Sequence, residues 1–86
     1  MFNTSDLTDG IEVQRRPARG GDRYVVVETI DDETLLATAE KTVALSGGDV
    51  EETKRQLVER AVADVVMSEV PPGADVLVKC RYDVDV

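Results

Sequence analysis

The chain has 86 residues, enough for one small domain with a single modest core, and carries 18 acidic residues against 10 basic ones for a net charge of −8. It contains no histidine, one cysteine and no tryptophan, which excludes an intramolecular disulfide and removes the usual ligands of a zinc site. Its apolar runs are too short for a membrane helix and no basic-then-apolar leader opens it, so no membrane association and a cytoplasmic location, or assembly into a particle there, are expected.

Residues 1–10 are mostly polar, with Phe2 and Leu7 as isolated apolar residues after Met1, and read as an N-terminal arm, with residues 11–86 as a single α+β domain. Phe2 is the one phenylalanine of a chain poor in aromatics and is a candidate anchor for the arm on a neighbour. Ile11–Arg15 alternates as a short strand, and Pro17 with Gly20 and Gly21 marks the turn that follows. Arg23–Ile30 is the clearest strand, β-branched and aromatic almost throughout, and Asp31–Glu33 reads as a hairpin turn. Thr34–Leu45 is ambiguous. As a strand it places Leu35, Ala37, Ala39, Val43 and Leu45 on one face. As a helix it has an aspartate cap, an apolar side of Leu35, Leu36, Ala39 and Val43, and Gly47 as a stop. Its threonines and the short acidic turn before it favour the strand.

Asp49–Val70 is the strongest element, a long helix. Asp49 is a good N-cap with Glu52 at capping-box spacing, and Pro71-Pro72-Gly73 ends the helix. Val50, Leu57, Val58, Ala61, Val62 and Val65 form one apolar stripe; Glu51, Glu52, Arg55, Gln56, Glu59 and Arg60 read as solvated. Near its end Ala63, Val66, Met67 and Val70 spread apolar surface beyond that stripe. Ala74–Val86 alternates strictly enough to read as a half-buried final strand reaching the last residue. The expected fold is a small two-layer α+β domain of order β-β-β-α-β, with a mainly antiparallel sheet and one long helix on one face. If the third and fourth strands are neighbours in that sheet, the connection through the helix makes them parallel, in a right-handed crossover.

Seven arginines against three lysines and an excess of carboxylates resemble the cytoplasmic proteins of extreme halophiles, a likeness of habitat rather than kinship. The tail, Gly73-Ala-Asp-Val with Arg81-Tyr-Asp-Val downstream, resembles the end of the small ring-forming domains of the YbjQ type, which also close on a helix, Gly-Ala-Asp/Asn and a strand. The first half of the chain lacks that pattern, so the resemblance implies a shared architecture only.

No residue set points to catalysis, a cofactor or a specific metal. Asp31, Asp32 and Glu33, with Asp83 and Asp85, lack the alternating spacing and bend glycine of a calcium loop. Cys80 has no histidine to activate it, and Gly47-Gly48-Asp49 lacks the lysine of a phosphate loop. Arg15, Arg16, Arg19 and Arg23 form a basic patch, the place where nucleic acid would bind. The net charge of −8 opposes such binding. The expectation is therefore a non-enzymatic assembly module that self-associates or joins a larger complex in a halophilic archaeon or its virus, as a structural protein or virion component. Phe2, Val66, Met67, Val70 and Leu77 are its candidate protein interface. The alternative is a nucleic-acid-associated accessory or regulatory protein that uses the arginine turn.

Overall fold

A computed structural model describes residues 5–84, with side chains from Leu7 onward. The chain is α+β, in the order α1 (Ser5–Thr8), β1 (Ile11–Arg16), β2 (Arg23–Glu28), α2 (Asp32–Ser46), α3 (Val50–Glu69) and β3 (Asp75–Lys79). The three strands form one mixed sheet with β2 in the centre. It pairs antiparallel with β1 through the arginine turn and parallel with β3 through the two long helices. The expected order of four strands and one helix is corrected: Thr34–Leu45 is helical, and the sheet loses a strand.

Local chemistry accounts for that correction. Asp31 keeps an extended backbone and its carboxylate accepts the amide of Thr34 at 3.1 Å, while Asp32 and Glu33 sit in the first turn where the helix dipole favours anions. Gly47, at φ 78°, takes a conformation that side chains with a Cβ avoid, and donates its amide to the carbonyl of Val43 at 2.7 Å. Thr42 sends its hydroxyl to the carbonyl of Thr38 at 2.9 Å, so one of the threonines that suggested a strand is satisfied within the helix. Leu35 and Ala39, four residues apart, are the buried positions of α2.

Helix α3 follows expectation closely. Asp49 accepts the amide of Glu52 at 3.0 Å, and Leu57, Val58, Ala61, Val62 and Val65 are buried on one face. Arg55 links Glu52 (2.6 Å) and Glu59 (2.9 Å) along the solvated side. One face of α3 packs on α2 and another over β1 and β2. A helix of 20 residues is about 30 Å long at 1.5 Å per residue, longer than the strands it covers. The α2–α3 hairpin gives the molecule principal extents of 48 × 20 × 20 Å.

The core joins both layers: Leu7, Ile11, Val26, Ile30, Leu35, Ala39, Val58, Ala61 and Val62 among its members. Leu7 is fully buried, so the part of the expected arm that includes it is packed against the domain, and α1 lies on α3. Gly10 carries this close approach. Its carbonyl accepts the Thr29 amide at 2.7 Å, and a Cβ there would lie 2.7 Å from the Cα of Ile30. The last strand is shorter than expected: β3 ends at Lys79, and 80–84 leave the sheet.

Candidate interaction surfaces

Beyond the ends of β2 and β3, next to α2, a charged clamp ties three parts of the chain together. Strand alternation turns Glu28, the last residue of β2, towards the helices, where its side chain is 0% exposed. Its Oε2 accepts the amide of Ile30 at 2.7 Å. Arg81, just past β3, grips the same carboxylate bidentately, Nε to Oε1 and Nη2 to Oε2, both at 2.9 Å. The guanidinium also donates to the carbonyl of Ile30 and, at 2.5 Å, to Asp32 at the start of α2. Burial by itself would push the Glu28 carboxyl up. The hydrogen bonds from Arg81 and Ile30 and the charge of Arg81 together outweigh it and hold the group below the usual carboxylate range. Cys80 lies against Glu28, and burial, joined by that negative charge, pushes its thiol up. A thiol held protonated in this way is a poor nucleophile. The clamp fixes structure; its polar groups satisfy one another.

At the opposite end of the sheet, the turn between β1 and β2 and the Pro71–Gly73 turn before β3 border an open depression of about 540 Å³, lined among others by Arg19, Asp22, Arg23, Tyr24 and Asp75. The four arginines are divided here: Arg16 and Arg23 are register partners on one face of the sheet. Alternation along β1 sends Arg15 and Arg16 to opposite faces. Arg15 faces Asp22 at 3.6 Å, Arg16 bonds the Gln14 side chain at 3.0 Å, and Arg23 pairs with Asp75 at 3.0 Å. Arg19 lines the depression. Two of the arginines thus have carboxylates beside them, which lowers the positive potential available to a polyanion.

The candidate interface residues also fall in different places. Phe2 lies outside the described residues. Val70 is buried in the core, and Val66 is half-buried against it. Met67 is 83% exposed on α3, and Leu77 is 47% exposed on the sheet face away from α3. Leu36 and Leu45 are exposed on α2.

That open face of the sheet has a regular layout. Register places Glu12, Gln14 and Arg16 of β1 beside Val27, Val25 and Arg23 of β2, and these beside Lys79, Leu77 and Asp75 of β3. Val25, in the middle, is buried between its register partners Gln14 of β1 and Leu77 of β3. β3 is different from β1 and β2: none of its five residues is buried, and α3 lies over the other two strands more than over this one. Asp75 and Lys79, which bracket Leu77 on the same face, are not singled out by sequence motifs. Their signal is the alternation of opposite charges about a central leucine. Among the described residues no cluster of three or more histidine, cysteine or acidic side chains has the arrangement to hold a metal ion, and no helix is long and apolar enough to cross a membrane. No protein-family model matches the chain, and no match was found among curated proteins or solved structures.

Proposed function

We propose that this chain is a non-catalytic assembly module that self-associates or joins a larger complex through its sheet, in a cell or virus adapted to high salt. The observation that carries the reading is β3, an edge strand with no buried residue and with Leu77 47% exposed on the open face. Edge strands offer unpaired backbone donors and acceptors to another chain, and natural proteins usually blunt them. The surplus of carboxylates suits a protein that works where salt screens like-charge repulsion. Mass measured by light scattering across a concentration series in molar KCl tests the reading. The expected result is a species larger than one chain, and Leu77→Glu shifts it towards the monomer while helix content is kept. A wild type that is monomeric at every concentration, and that binds duplex or single-stranded nucleic acid with a steep salt dependence, would replace this reading with one based on the turn from Arg15 to Arg23.

A further inference from the structure

We infer that β3 pairs antiparallel with β3 of a second copy, in a register centred on Leu77, to make a continuous six-stranded sheet. The inference rests on the assembly reading above and specifies its surface, partner and register. The strand reads Asp75-Val76-Leu77-Val78-Lys79, and about its centre it is complementary to itself. A two-fold axis perpendicular to the sheet at Leu77 sets Leu77 opposite Leu77 of the second copy and Asp75 opposite Lys79 of the second copy. On the helix-facing side the same axis sets Val76 opposite Val78 of the second copy. Each of the five positions thus meets an apolar residue with an apolar residue, or a charge with its opposite. Directly opposed residues of antiparallel strands are close enough for such pairs to act.

Other registers and the other edge do worse. Moving the centre to Val76 sets Asp75 against Leu77, and moving it to Val78 sets Leu77 against Lys79. On β1 the two-fold registers centred on Val13 or Gln14 place Ile11 or Val13 opposite Arg15, and Pro17 follows directly. β1 also contributes the buried Ile11 to its own core, whereas Val76 and Val78 are only half-buried and gain cover from a neighbouring strand. An isologous interface of this kind closes on itself and yields a dimer rather than a fibre.

The test is a charge exchange followed by concentration-dependent mass, at the lowest salt at which the chain stays folded. Lys79→Asp places carboxylates opposite Asp75 at two symmetry-related points of the dimer, and Asp75→Lys does the same with ammonium groups. Each change weakens dimerisation at least about tenfold, because like charges directly opposite one another destabilise the pairing. An equimolar mixture of the two variants recovers the dimer as a heterodimer, and the double exchange Asp75→Lys with Lys79→Asp recovers it within one chain. Both positions are exposed, but Asp75 also pairs with Arg23 of its own chain at 3.0 Å, so Lys79→Asp, which leaves that pair intact, carries the test, and circular dichroism checks that each variant keeps its fold. Glu12→Lys, at the far edge of the same face, leaves dimerisation unaltered. Loss of the dimer on Glu12→Lys would overturn the β3 edge in favour of face-to-face packing. Single exchanges that leave a wild-type oligomer intact would overturn the inference while keeping the assembly reading. A wild type that is monomeric at every concentration would remove the inference and self-association together.

Discussion

Replacing Arg81 with methionine removes one side of the clamp while keeping much of the side chain's apolar length. Glu28 would then keep a carboxylate with no exposed surface and lose both arms of the bidentate grip. Removing one partner of a buried ion pair costs about 3–5 kcal/mol. Arg81 is itself 29% exposed, so water can reach part of the vacated space, and the expected cost is about 2–3 kcal/mol, in the range for leaving a buried polar group unsatisfied. A chain of 86 residues has a total stability of roughly 4–13 kcal/mol. In a domain of this size each kcal/mol lowers the melting temperature by about 4–8 °C, so Arg81→Met should melt about 10–20 °C below wild type. Urea unfolding followed by circular dichroism gives the free-energy difference directly. Its pH dependence has a definite sign. The folded Glu28 carboxyl lies below the 4.5 of a free glutamate, so the clamp's contribution is full above that value and is lost as pH falls through the folded one. The gap between wild type and variant should be widest near neutrality and close in acid. Replacing Glu28 with leucine as well should recover only part of the loss, because the stranded charge goes but the Ile30 amide loses its acceptor. A neutral-pH cost below about 1 kcal/mol, or a gap that is flat with pH, would refute the reasoning.

Leu7→Ala, at a fully buried side chain in the core, should cost about 2–5 kcal/mol in urea unfolding; a loss within 0.5 kcal/mol, roughly that of a surface change, would return α1 to a loose arm. Gly10→Ala forces a Cβ to within 2.7 Å of the Ile30 backbone and should cost about 1–3 kcal/mol by the same assay. Val58→Glu should abolish cooperative unfolding, since a core carboxylate has no partner. Met67→Glu, on a side chain 83% exposed, should leave stability within about 0.5 kcal/mol. Melting temperature should rise from dilute buffer to molar KCl as the net charge of −8 is screened; a flat or falling trend would contradict the high-salt reading.

Helix α3 was legible from sequence because its signals agree: Asp49 at the cap, glutamates in the first turn, an apolar stripe at helical spacing and Pro71-Pro72 beyond the end. The strand Arg23–Glu28 and its hairpin with β1 were legible for the same reason, with Gly20-Gly21 at the turn and branched residues beside it. These are local agreements between propensity and period, and they need no knowledge of what lies across the fold. Leu7 gave no such signal, because a lone leucine in a polar stretch reads alike whether it meets solvent or a core. The arginine cluster was visible as composition, yet its division between two faces and its pairing with Asp22 and Asp75 depended on strand register. The clamp between Glu28 and Arg81 joins residues 53 apart in the chain, a separation that no local pattern spans.

Thr34–Leu45 shows where local information stops. Its threonines and its alternation tip the local reading to a strand, against Asp31, the spacing of Leu35 and Ala39, and Gly47, which favour the helix that forms. Tertiary structure decides it. Helix α2 packs along α3, whose buried residues include Thr53 and Leu57. A strand at 34–45 would leave that surface in water, whereas α2 covers it and buries Leu35 and Ala39 in return. The sequence by itself determined the caps, the turns and the strongest helix and strands, because those depend on neighbours a few residues apart. The pairing of distant apolar faces determined the rest, because burial is settled only when the whole chain is in place.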